Sequence, residues 1–76
     1  MAATGPEAPN RYRVEIRREG GEGWRVEIID PAGRGVSSRA CSGEIDARTY
    51  ASTVHQHVEW LSEPKFREYY RLPEED

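Results

Sequence analysis

A chain of 76 residues with 33% charged and 36% hydrophobic side chains and a formal net charge of -3 has room for one small domain. No apolar run approaches the roughly 18 residues of a membrane span, no basic and apolar leader opens the chain, and the single Cys41 cannot close an intramolecular disulfide. Neither an export signal, a membrane span nor a disulfide scaffold is therefore expected, and the expected setting is the cytoplasm.

The chain opens on MAATGPEAPN, small residues and two prolines with no apolar period, and closes on PEED. Residues 1–10 are expected to form a disordered tail, 11–72 a single β-β-β-α-α domain and 73–76 an acidic tail. Charge is uneven within that plan. Up to Cys41 there are seven Arg against six acids, and from Ser42 onward four Lys or Arg against eight acids. The ten Arg to one Lys point to a GC-rich, bacterial genome more than to a ligand.

Arg11 to Arg17 alternates, with Tyr12, Val14 and Ile16 on one side and Arg11, Arg13, Glu15 and Arg17 on the other, the pattern of a half-buried strand. Trp24 to Asp30 repeats it, with Trp24, Val26 and Ile28 inward, and EGGEG between them is a turn. Like charges directly opposite each other are unfavourable. The expected register therefore sets Glu15 against Arg25, Arg13 against Glu27 and Ile16 against Trp24. A slide of two residues sets Arg17 against Arg25 and Glu15 against Glu27, and is rejected on that ground. Asp30, Pro31, Ala32 and Gly33 make a type I turn, and a third strand returns through Val36 to Cys41 with Val36, Ser38 and Ala40 inward.

The segment from Ser42 to Leu61 is the one long amphipathic helix. Ala47, Tyr50, Ala51, Val54, Val58 and Leu61 fall on one stripe, Ser42 is the expected N-cap, and Glu44 and Asp46 place negative charge in the first turn. Ile45, Thr49, Thr53 and Trp60 lie on nearly the opposite side. Ser62, Glu63 and Pro64 start a short second helix carrying Phe66, Tyr69 and Tyr70. The fold class is α+β: a three-stranded antiparallel sheet packed on one long α-helix, with a short C-terminal helix.

Chemistry-bearing motifs are few. His55 and His57 sit two apart on a helix and point about 200° away from each other, so they cannot share one ion, and His55 with Glu59 supplies only two ligands. A Cys41–His55 nucleophile pair lacks an orienting third group, and no GxGxxG, GxxxxGK or HExxH is present. No metal, no cofactor and no catalytic residue is expected. The sequence reads as a small non-catalytic interaction or adaptor protein. Its partner is another protein or, as a homodimer, a second copy, met through a contact cluster of Trp60, Phe66, Tyr69 and Tyr70.

A second reading places Arg11, Arg13, Arg17, Arg25 and Arg39 on the outer sheet face, which could lie in a DNA major groove. Tyr12 and Arg13, then Trp24 to Pro31 (WRVEIIDP), then Asp46, Ala47 and Tyr50 resemble the sheet-reading DNA-binding domain of plant ethylene-response factors and the related arm-site domains of phage integrases. The resemblance implies three strands backed by a helix, with DNA contacts from Arg13, Trp24 and Glu27.

Overall fold

Three hairpin-linked strands precede two helices in the computed structural model, which describes residues 10–21 and 23–73. The elements are β1 (Arg13–Glu19), β2 (Gly23–Ile29), β3 (Gly35–Cys41), α1 (Glu44–Trp60) and α2 (Glu63–Tyr70). The sheet is antiparallel in the order β1-β2-β3, with α1 lying on one face and closer to β1 and β2 than to β3. This is the α+β architecture expected from the sequence. The two terminal tails expected there lie outside the described residues, except for Pro73, which is exposed, and Asn10, which is packed. Its side chain donates to the Leu61 carbonyl at 3.0 Å and accepts from the Tyr12 amide at 2.9 Å.

The register of the first hairpin is the one rejected on charge. Val14 faces Ile28, Ile16 faces Val26, Glu15 faces Glu27 and Arg17 faces Arg25. Two physical facts outweigh the like-charge pairs. The turn is tight: only residues 20–22 separate Glu19 from Gly23, Gly21 takes a left-handed φ of 55°, and the Gly23 amide donates to the Gly20 carbonyl at 3.2 Å. Long side chains also reach diagonally, so Arg17 meets Glu27 at 2.9 Å and Arg25 meets Glu19 at 2.9 Å.

The second hairpin closes as expected. The Gly33 amide donates to the Asp30 carbonyl at 2.9 Å, with Gly33 at φ 92°. A bulge at the Ile28/Ile29 step then changes which β3 residues face inward. Val36 packs on the core, but Ser37 pairs with Ile28, Arg39 with Val26 and Cys41 with Trp24, so these three share the helix side. Ser38 and Ala40, opposite Glu27 and Arg25, face outward, contrary to the alternation read from Val36.

The stripe on α1 is the docking face: Ala47, Ala51 and Val54 are buried, and Tyr50, Val58 and Leu61 pack beside them. Its N-cap is Gly43 rather than Ser42. Gly43 is fully extended and caps with no side chain, while the Ser42 hydroxyl donates to the Asp46 carboxylate one turn on. The core has two adjoining clusters. Val26, Ala47 and Ala51 form one, and Tyr12, Ile28, Val54 and Phe66 form the other. Phe66, 0% exposed, thus brings α2 into the centre of the domain.

Asp30 is the one buried charged residue among the described residues, 2% exposed. Its carboxylate accepts from the Arg34 amide at 2.8 Å and the Arg34 Nε at 3.0 Å. The backbone hydrogen bond from Arg34 holds its pKa below the ordinary value against the opposing effect of burial, with the Arg34 guanidinium helping.

Two outcomes are expected. Phe66→Ala should cost about 3–5 kcal/mol, as large core deletions do, and leave little cooperative urea unfolding at 25 °C; Trp60→Ala should change stability by less than about 0.5 kcal/mol. Because the Asp30 pKa is lowered on folding, its contribution is full above the unfolded value and is lost as pH falls through the folded one. Asp30→Asn should therefore be less stable than wild type at pH 7 and converge with it well below about pH 4, as read by urea midpoints across pH.

Candidate functional site

The four aromatic residues expected to form one contact cluster are divided by the fold. Phe66 stacks between Tyr12 and Tyr70, with ring centroids at 5.0 and 4.9 Å, and is wholly internal. Tyr70 is half-buried behind it. Burial, with smaller contributions from Tyr50 and Tyr69, pushes the Tyr70 phenol up to about 12. Tyr70 thus keeps its proton at neutral pH, and its hydroxyl is hydrogen-bonded to Nδ1 of His57 at 2.6 Å. Tyr69 packs against both the same imidazole and the Tyr70 ring, with centroids 4.4 and 5.0 Å away, yet remains 61% exposed.

Trp60 lies one turn beyond His57 on α1 and is 65% exposed. Tyr69 forms the outward end of an aromatic series that begins at the core with Tyr12 and passes through Phe66, Tyr70 and His57. The inner members are held by packing and a hydrogen bond, so Tyr69 stands on a fixed base. Ile45, 78% exposed, sits at the opposite end of α1, about 22 Å away at 1.5 Å per residue, with Thr49, Ser52 and Gln56 between. The outer helix side is thus not a continuous apolar stripe.

The sequence reading missed His57 as a member of this site and treated it as a solvated flanking residue. The available signal was its position, one turn before Leu61 and on the side of the helix shared with Tyr50 and Val54. His55 forms an exposed pair with Glu59 at 3.2 Å. Among the described residues no group of three or more His, Cys, Asp or Glu is placed to hold a metal ion, and no helix is long and apolar enough to cross a membrane. Cys41 is a free, partly exposed thiol whose Sγ points toward the Arg39 carbonyl.

The five arginines expected on the outer sheet face are also divided. Arg39 is on the helix side, its guanidinium 4.5 Å from the Tyr50 ring centroid. The bulge that moved it there is the reason. Arg11 precedes β1 and forms a two-pronged pair with Glu63, with Nε to Oε2 at 2.8 Å and Nη2 to Oε1 at 3.0 Å. That pair, led by the side-chain hydrogen bonds, lowers the Glu63 pKa.

Arg13, Arg17 and Arg25 do face outward, but among Glu15, Glu19 and Glu27. Arg17 reaches Glu15 at 3.7 Å and Glu27 at 2.9 Å, Arg13 reaches Glu15 at 3.6 Å, and Arg25 reaches Glu19 at 2.9 Å and the Ser38 hydroxyl at 2.7 Å. This face is a lattice of opposite charges with no net excess among those six residues. Glu27 also lies across Gly35, where an added Cβ would stand 3.0 Å from Oε2.

No family model, curated protein or solved structure matches this chain. The likeness to the sheet-reading DNA-binding domains thus rests on the residues quoted for it and on the shared order of three strands followed by a helix.

Because phosphate affinity comes from basic residues free to neutralise it, the laced face should bind duplex DNA poorly. In a titration with random-sequence duplex at about 50 mM salt, followed by tryptophan fluorescence, no saturable binding is expected. Saturable binding that weakens steeply by about 200 mM salt and is lost in the Arg13→Ala, Arg25→Ala double variant would reverse that reading.

Proposed function

We propose that this chain is a small non-catalytic protein-interaction or adaptor domain of a reducing, cytosolic interior, and that it meets its partner protein through Trp60 and Tyr69. The observation that carries the reading is the exposure of these two large aromatic side chains, with Tyr69 seated on His57 and Tyr70. Tryptophan and tyrosine dominate the energetic centres of protein interfaces because each buries much area with few rotatable bonds. Packing of Tyr69 on the imidazole and on Tyr70 removes much of its ordering cost before a partner arrives. The free thiol of Cys41 supports the reducing setting.

The outer sheet face supports a duplex-binding alternative less well. Its three outward arginines already spend their charge on neighbouring glutamates. A nucleic acid would have to displace those pairs before gaining its own.

The reading is tested by placing a photo-crosslinking phenylalanine derivative at position 60 and, as a control, at Thr49 on the outer side of the same helix. Cells of the source organism carrying either chain are irradiated and the adducts identified by mass spectrometry. A discrete adduct formed from position 60, absent from position 49 and lost when Tyr69→Ser is added, is the expected result. Equal labelling from both positions, or none from position 60, would overturn the reading.

A further inference from the structure

Among the described residues no strand lies on the far side of β1, which pairs with β2 without a bulge over all seven of its residues. Its outward side chains are Arg13, Glu15, Arg17 and Glu19, strictly alternating in sign, and its helix-side ones are Val14, Ile16 and Arg18. Charge along an edge keeps arbitrary strands from adding to it. This order makes one exception, because read backwards it is its own complement. Ile16, the midpoint of the strand, is 39% exposed, the one large apolar side chain of the sheet so exposed among the described residues. α1 does not seal the edge. Beside the first half of the strand lies a cleft of about 490 Å³, lined by Tyr12, Val14 and Glu15 from the strand and by His55 and Val58 from the helix.

We propose that β1 pairs with β1 of a second copy of the chain, antiparallel about a two-fold axis at Ile16, so that two three-stranded sheets join into one of six strands. The axis is perpendicular to the sheet and maps each face onto itself, so outward residues meet only outward ones. Centred on Ile16, the full strand pairs: Glu15 stands opposite Arg17 of the second copy and Arg13 opposite Glu19, and by symmetry all four outward pairs are of opposite charge. On the helix side the two Ile16 side chains meet. Val14 stands opposite Arg18, whose guanidinium is drawn over its own Trp24, 5.7 Å from the ring centroid. Other registers are worse. Centring on Glu15 opposes Glu15 to Glu15 and Arg13 to Arg17, and centring on Arg17 opposes Arg17 to Arg17 and Glu15 to Glu19. Centring on Val14 or Arg18 pairs only one end of the strand. Around the Ile16 axis, Glu15 and Arg17 of both copies form a square with unlike charges along its sides and like charges across its longer diagonals, so attraction prevails. Such a contact is isologous and closes on itself as a dimer. It uses neither Trp60 nor Tyr69.

The test follows molar mass by sedimentation equilibrium from about 5 µM to about 500 µM, the range suited to a modest interface. Wild type is expected to rise toward twice the 8.7 kDa of one chain. Glu15→Arg and Arg17→Glu each set like charges opposite one another at both central pairs of the joint ladder. Within the chain each instead turns a like-charge pair with β2, to Glu27 or Arg25, into an unlike one, so both variants should fold, as circular dichroism checks. Each alone should associate at least about tenfold more weakly, and a 1:1 mixture should recover association because every central pair is again unlike. Amide exchange on the unmodified protein gives a second readout: slowing with concentration should centre on Val14 to Arg18. A wild type that stays at the monomer mass overturns the proposal. So do a mixture no stronger than the single variants, and concentration-dependent slowing centred on β3, α1 or α2 instead of β1.

Discussion

The burial of Phe66 is the constraint on which the remaining arrangement depends. Tyr12 enters from the segment before β1, Ile28 from the central strand, Val54 from α1 and Phe66 from α2, so one cluster joins both ends of the folded chain to its middle. Two polar links fasten the same region: Asn10 to the Leu61 carbonyl and Arg11 to Glu63. A sheet of three strands with a single helix offers little apolar area, and a domain of this size needs every large side chain it can bury. The short C-terminal helix is therefore part of the core. The Ser62 cap, Pro64 in its first turn and the left-handed Arg71 that ends it confine α2 to the two turns that hold Phe66 inward. Turning Phe66 and Tyr70 inward is also what leaves Tyr69 on the surface.

The sheet satisfies its charges in a way that bears directly on function. Direct pairing of Glu15 with Glu27 and of Arg17 with Arg25 would be unfavourable if side chains met only straight across. Arginine is long enough to reach the residue two places along the neighbouring strand, and the resulting diagonal pairs alternate in sign across the face. Individually such exposed pairs contribute little to stability. Their effect is to leave that face without a surplus of positive charge.

Much of this was legible in the sequence where one periodicity dominates. The α1 stripe from Ala47 to Leu61, the two hairpins and the Asp30–Gly33 turn follow from spacing and turn chemistry alone. The register did not, because charge was weighed only between directly opposed residues, whereas the short glycine turn and diagonal contacts decide it. The inward set of β3 was misread because one bulged residue inverts the alternation for everything after it, taking Arg39 off the outer face. The Phe66 position was obscured by the brevity of α2, whose few aromatic residues show no periodicity that separates buried from exposed. The burial of Asp30 had a local signal, an arginine four residues on, but its weight comes from the enclosing fold.

The central claim is that α2 belongs to the same cooperative unit as the sheet. Native-state amide hydrogen exchange tests it most directly, by comparing the free energy of opening at Phe66 and Tyr70 with that at Val26 and Ile28 in the central strand. The account predicts that the Phe66 and Tyr70 amides exchange only through the global unfolding that exposes Val26 and Ile28. Exchange of α2 through a separate low-energy opening, with the strand still protected, would contradict it.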